Sequence, residues 1–584
     1  MKRIPLGLLF IIFSFFFSPA RAQEGELTVT VDSVGKLATL LPDSIRFTIS
    51  ELKVCGPLNG NDLKVIQSMA GRIRPKRAGD VLLTTLDLSE ASITDGKGSL
   101  RTQADVVPVA LFINCKALEK VVLPSTATTI SRSCFSGCSA LKEVTLPETV
   151  KEIGEFAFKG CQSMEAITLP EGLVTIDNHA FDGCAALTAI EIPPSVTLID
   201  AYAFNGCKAL ESVAMEKTAI TSIANSVFEG CEQLRDIVLP EAVTAIGKEA
   251  FKKCASLETI LIPDAVKTIG NSAFEKCLNL QSIELPKTAS IGSEAFLDCS
   301  SLATVEIGSA THIGSAAFQH CSSLTDVTID SKLKAIATET FEGCISLTNI
   351  SLPNSIKTIG TRAFSGCKSL VNIELPSSLT RINDHAFEEC TSLKSIRIPQ
   401  LTKDIGSDTF EKCSSLDSVY IQGFIEKIED DVFRYCHSLR VVLLPVTVKS
   451  IGDNAFEQCT SLLGITLPIT VKSIGDNAFE QCASLTTMVV PPACTSIGSA
   501  AFRDCNALRR IELPSAMKKI GGNAFARCSS LRDFVISAPT PPAISSSTFR
   551  GVPMPTLKVY VPRGAKSRYT ADKSWKKMMQ IIEN

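Results

Sequence analysis

The sequence predicts a single curved repeat solenoid of the α/β class, not a string of globular domains, and three observations predict it. The pattern Phe-x-x-Cys recurs nineteen times from Cys115 to Cys528, always 22 to 24 residues apart. The residues between copies obey one consensus, L-P-x-x-V-x-x-I-G-x-x-A-F-x-x-C-x-S-L-x-x-I-x. Thirteen letters, "TVKSIGDNAFEQC", stand unchanged at 447–459 and again at 470–482. A globular chain of 584 residues would divide into about three or four domains. A fixed period between 20 and 29 with a Leu-x-x-Ile-x-Leu core instead marks a leucine-rich-repeat array.

Each part of the unit has a physical reading. Around Cys344, Leu347, Ile350 and Leu352 alternate inward between outward Asn349 and Ser351, the period-2 pattern of a half-buried strand. Pro353 follows, and with no N–H it suits the point where a strand leaves its ladder. Ile356 and Ile359 turn inward along the back of the coil, Ala363-Phe364 plug its far end, and Cys367 precedes the next strand. The residue after the back Ile is Gly at 360 and 452, but Asp177, Ala224, Asn383 and Glu429 share its column. That column therefore demands no positive φ, and a turn leading into a short helical segment is expected there. The whole is about 20 coils, with a parallel concave sheet, short strands and helical turns on the back, and capped ends. One unit cannot bury its inner face alone, and stacking neighbours makes one continuous core.

The flanks differ from the repeat. Lys2 and Arg3, the apolar run Leu6 to Phe17, and Ala20-Arg21-Ala22 form a signal peptide over 1–22; the run is shorter than the roughly 20 residues that span a bilayer. Residues 23–82 are read as an N-terminal cap with a helix from Asp62 to Ala70 that stops at Gly71. Residues 83–552 are the solenoid of 23-residue repeats, whose first strand lies in "LTTLDL". Three prolines in "SAPTPPAISSSTF" break the pattern, Val552 replaces the Cys, and 553–584 form a C-terminal cap with a strand at "LKVYVP".

Net charge is −3, so nothing global points to nucleic acid or an anionic membrane. The basic tail (Arg563, Lys566, Arg568, Lys573, Lys576, Lys577) reads as a solvated capping helix, with contact to acidic glycans or nucleic acid as the alternative. Twenty-two cysteines in an exported chain would ordinarily mean disulfides. Here nineteen form one inward column with parallel Cβ vectors about 4.8 Å apart, a poor geometry for bridging and for tetrahedral zinc. Buried free thiols are expected; Cys55, Cys134 and Cys494 lie off the column. His179, His312, His320, His385 and His437 are scattered, and no Walker A, GxSxG or HExxH motif occurs. No catalytic residue, cofactor or metal is expected.

The residues quoted above closely resemble the BspA-like, or Treponema pallidum type, leucine-rich repeats of bacterial surface proteins, over about 105–550. The resemblance implies cell-surface adhesion to host matrix proteins, host cells or other bacteria. Function then lies on the outward strand positions, which run Ser282/Glu284, Thr304/Glu306, Asp326/Thr328, Asn349/Ser351 and Asn372/Glu374, polar and mildly acidic. The character changes at Ser395/Arg397, Ser418/Tyr420, Val441/Leu443, Gly464/Thr466 and Thr487/Val489. Arg397, Tyr420, Leu443 and Val489 are the candidate binding patch, although strand propensity alone also favours Tyr and Val. The expected partners are proteins or glycans of host matrix or other cells, with no nucleic acid and no membrane insertion after signal removal. The expected location is secreted or cell-surface, with the periplasm as alternative. The competing readings are a passive structural envelope or matrix protein, and an enzyme with its site in the terminal segments.

Overall fold

The computed structural model describes residues 26–72, 80–98, 100–287, 289–308, 310, 312–329 and 332–584; the signal peptide predicted at 1–22 lies outside them. The chain winds into a parallel-strand solenoid of about 24 turns. In a typical coil a front strand, Asn349–Ser351, is followed by the Pro353 turn and a two-residue back strand, Thr358–Ile359. Both ladders are parallel and in register with the repeat: Val327 faces Ile350 in front, and Ile336, Ile359 and Ile382 align behind. Of the inward set expected from the sequence, Leu347, Ile356, Ile359, Ala363, Phe364 and Cys367 are at 0% exposure and Ile350 is buried, while Leu352 is half-buried at the edge of the core.

Two columns hold the interior together. The Phe rings stack from Phe112 to Phe525, with centroids 5.2–5.7 Å apart and planes within about 20° of parallel, the offset geometry that aromatic pairs prefer. The thiols do more than fill space. Each column Cys Sγ–H from Cys138 to Cys528 donates to the carbonyl of a Phe one coil back, as Cys367 does to Phe341 at 3.2 Å, whereas off-column Cys494 donates to Ser496 O. A methyl group of similar size would leave that link unmade, which is why a small donor recurs. All 22 cysteines are free.

The segment after the back strand is not helical. Among the described residues, the four α-helices lie at Leu37–Leu40, Asp43–Arg46, Gly60–Met69 and Lys566–Ala571, all outside the repeats. In place of the expected helical turn stands a chain of tight turns. Ala363, Ser365 and Cys367 donate to Gly360, Arg362 and Phe364, three residues back. The alternate N–H groups of Arg362, Phe364 and Gly366 donate forward to Asp384, Ala386 and Glu388 of the next coil. A helix would direct all of these donors to its own carbonyls; the turns direct half of them along the stack.

Two left-handed positions per coil make this path. One lies two residues before the Phe (Arg362, φ 54°), the other just before the Cys (Gly366, φ 72°). Glycine supplies the second in several coils, but Lys412, Tyr435 and Gln458 adopt it too, at φ 60°, 62° and 61°. A non-glycine residue there costs about 1–2 kcal/mol, offset by the inter-coil bonds. Gly360 serves a different need: a Cβ there would lie 2.6 Å from the backbone of Ala337 in the coil before.

The front sheet continues into both flanks. Glu26–Thr30 pairs with Glu51–Leu58, which pairs with Thr85–Asp87; at the far end Asp533–Ile536 pairs with Lys558–Val561 and that with Gln580–Glu583. These two extra strands at each end raise the turn count above the twenty that the repeats alone contribute. The helix expected from Asp62 to Ala70 runs Gly60–Met69, capped by Asn59 and Asp62 in a reciprocal box. At the other end the prolines that break the repeat become anchors. Tyr569 Oη donates to Ala538 O at 2.9 Å and Trp575 Nε1 to Pro542 O at 2.8 Å. Both rings are fully buried against the end of the Phe stack.

Three outcomes are expected. Phe364→Ala should lower stability by about 3–5 kcal/mol, read as hydrogen exchange spreading from coils 341–387 in a chain whose coils couple only to neighbours. The thiols fix the pH response. An unfolded-chain thiol ionises near 8.5, whereas burial pushes Cys115 and Cys528 up to about 12. Between these values the folded chain holds protons that the unfolded chain has released, so stability falls as pH rises, by about 1.4 kcal/mol per unit for each thiol so shifted. Urea midpoints should be level from about pH 6 to 8 and collapse from about 9 to 11. Alkylation without reductant should label chiefly half-exposed Cys55 in the native chain and every cysteine after denaturation.

Candidate binding face

Alternation along each front strand leaves two outward side chains per coil. In Ser395–Ile398 they are Ser395 and Arg397, in Ser418–Ile421 Ser418 and Tyr420, and in Val441–Leu443 Val441 and Leu443. The parallel register sets Arg397 beside Tyr420 and Tyr420 beside Leu443. The Arg397 guanidinium lies over the Tyr420 ring, 5.2 Å from its centroid, within cation–π range. Tyr420 is half-buried by this, while Leu443 is 57% exposed.

Val489 stands apart from the other three. Residues 464–466 of the intervening coil form no strand, and Val489 pairs with Glu512 in the following sheet. It lies two coils beyond Leu443, about 10 Å by strand spacing. Gly464 opens that coil's front segment with nothing within 4 Å of where its Cβ would be, and glycine weakens a strand.

The structure adds apolar residues that the strand pattern missed. Phe424, Leu463, Val446 and Ile469 are 57%, 62%, 76% and 75% exposed. Val446 and Ile469 sit on the rim directly after the strand-ending prolines. The signal was present in the sequence, since the same place holds Glu148, Glu171, Glu241, Asp264 and Asn354 in other coils. Upstream, the polar stretch of the face holds two clefts. One, of about 370 Å³, is lined by Asp326, Asn349, Ser351, Asn372 and Glu374. The other, of about 870 Å³, is bordered by Leu261, Asp264, Glu284, Lys287 and Glu306.

The histidines lie off this face: His179 Nδ1 is 2.7 Å from Asp182, His320 Nδ1 3.0 Å from Asp298, and His385 stands between Glu388 (Nδ1, 3.0 Å) and Asp408 (Nε2, 3.8 Å). Among the described residues no group of three or more His, Cys, Asp or Glu side chains is placed to hold a metal ion, and no helix is long and apolar enough to cross a membrane.

Exposure on the face separates binding from folding. Leu443→Ala and Val446→Ala should each leave stability within about 0.5 kcal/mol of the parent. Leu416→Ala, at a 0% exposed position beneath the same strands, should cost about 2–5 kcal/mol. Urea melts of the three variants check this.

A family model described as the BspA type leucine rich repeat region (6 copies) matches residues 106–231, 199–323, 311–440 and 426–554. Among solved structures, a leucine-rich repeat protein from Bacteroides ovatus is similar at 28% identity, over 73% of this chain and 86% of its own, with a TM-score of 0.32. A leucine rich cell surface protein from Faecalibacterium prausnitzii is similar at 26% identity, over 60% and 87%, with a TM-score of 0.32. The leucine-rich repeat protein of T. pallidum shares 28% identity over 39% of this chain and 78% of its own, with a TM-score of 0.22. No curated protein matches the chain.

Proposed function

The chain belongs to the BspA-type leucine-rich-repeat family, and from that premise we propose that it is an exported, surface-associated adhesin whose front sheet binds a macromolecule of a host matrix or of another cell. The observation that carries this reading is the change of character along one face. Polar and acidic side chains occupy it from Ser282 to Glu374, then Arg397, Tyr420 and Leu443 meet in register, with exposed Val446 and Ile469 on the adjoining rim and Val489 two coils beyond Leu443. Contiguous exposed apolar surface with a Tyr and an Arg at its centre is the composition of interface anchors. It favours a protein partner that presents an apolar segment, and it implies no reaction.

The test is binding of the chain from Gln23 onward to a panel of matrix proteins and bacterial cells. Arg397→Glu, Tyr420→Ala and Leu443→Asp are run singly and together. Tyr420→Ala should weaken binding about tenfold or more, and the triple variant should abolish it without loss of fold. Unchanged binding by a folded triple variant removes this patch from the function. Absence of binding to the entire panel transfers the assignment to a passive structural role.

A further inference from the structure

The last coils carry a charge imbalance that the balanced total conceals. Residues 503–583 contain fifteen Lys and Arg against five Asp and Glu, a surplus of ten in a chain whose net charge is −3. The acids are largely engaged. Asp504 pairs with Arg527 and Glu512 with Arg510. Asp572 accepts the N–H groups of Ser574 and Trp575, and Glu583 those of Gly564 and Lys566. Of the fifteen bases, all but Arg503, Arg510 and Arg527 lack an acidic partner among the described residues.

These free cations are gathered and held. Arg563, Lys566, Arg568, Lys573, Lys576 and Lys577 are all exposed on the segment that closes the end of the stack. The expected capping helix holds only Lys566 and Arg568, because it ends at Ala571. Lys576 and Lys577 lie in the turn at Trp575, whose indole and the Tyr569 ring are pinned to the proline-rich segment beneath, and Arg563 and Lys573 flank the helix on either side. The result is a cationic plate anchored by two buried rings. Around its edge the field continues on the side of the solenoid: Arg509 and Arg532 occupy equivalent places in successive coils, the N–H of Arg532 bonding Arg509 O and that of Lys558 bonding Arg532 O. Arg509, Arg532 and Lys558 are exposed as well.

We propose that this end of the solenoid is a docking site for an anionic polysaccharide, separate from the front-sheet patch and able to hold the protein on a glycan-coated surface with that patch free. Unpaired cations spread over two surfaces that meet at an edge fit a flexible linear polyanion, which bends around the edge, better than a planar bilayer, which meets one surface at a time. A bilayer would also gain little by insertion, since Met579, at 68%, is the one large apolar residue exposed between 553 and 584. Single-stranded nucleic acid is bound through aromatic platforms as well as charge, and the aromatic rings beneath the plate, Tyr569 and Trp575, are fully buried. What remains is charge recognition with counterion release, which gives salt-dependent affinity.

The test measures heparin binding by the chain from Gln23 onward across a salt series, with mixed-sequence duplex DNA and phosphatidylserine vesicles in parallel. Heparin should bind at about 0.15 M salt more tightly than either competitor. Lys573→Glu/Lys576→Glu/Lys577→Glu should weaken it at least tenfold and flatten the salt dependence, with an unchanged urea midpoint. Arg509→Gln/Arg532→Gln should weaken it less, about threefold. The Arg397→Glu/Tyr420→Ala/Leu443→Asp variant should bind heparin as the parent does, so failure of the front-sheet reading and failure of this one are told apart. Undiminished heparin binding by the folded triple glutamate variant overturns the proposal, and so does tighter binding of the DNA or the vesicles.

Discussion

Everything in this molecule follows from the demand that each coil be an acceptable surface for the next. A coil of 23 residues is too thin to enclose a core, so its apolar residues are buried only by identical residues above and below. The Phe rings meet that demand by offset stacking at 5.2–5.7 Å. The thiols meet it with a hydrogen bond to the Phe carbonyl of the coil behind. The backbone meets it by adopting two left-handed residues per coil, which aim alternate N–H groups along the stack. Size, polarity and dihedral angles at these columns are therefore set by repetition, and a departure at one coil is felt by two neighbours.

The same demand leaves the outside free. Front-strand side chains at alternate positions, rim residues after the prolines and the closing segment touch no neighbour's core, so they vary without disturbing the stack. Variation is where the chain differs from a generic scaffold: Tyr420 under Arg397, exposed Val446 and Ile469, and the unpaired lysines of the closing plate. The two regions lie on different surfaces, and a solenoid whose coils couple only to neighbours lets each act without the other.

Much of this was legible beforehand. The period, the strand alternation, the thiol column and the helix that stops at Gly71 are local patterns, and each was readable from residue type and spacing, although the Asn59 cap that starts the helix two residues early was not. Two kinds of feature were not. The turn chain after the back strand reads as a helical turn, because glycine marked the column of Gly360, which needs close approach. The left-handed columns were masked by Lys, Tyr and Gln residues that accept that conformation when the stack supplies a hydrogen bond. The binding patch was legible only in part. Arg397, Tyr420 and Leu443 adjoin because three consecutive coils keep their strands, while Val489 is separated by the strandless segment at 464–466.

By itself the sequence determined the period, which residues face inward, and the membership of the BspA-type family, because repetition writes the same physical requirement many times over. Only the tertiary structure decided which outward residues meet. Neighbours on the face come from different coils, so their adjacency depends on register and on which coils hold a strand. It also showed that scattered lysines form one plate, since Trp575 and Tyr569 bury themselves in carbonyls contributed by a segment some thirty residues earlier. Inward positions are dictated by chemistry common to every coil, whereas outward neighbourhoods arise from contacts between residues far apart in sequence, which no local pattern encodes.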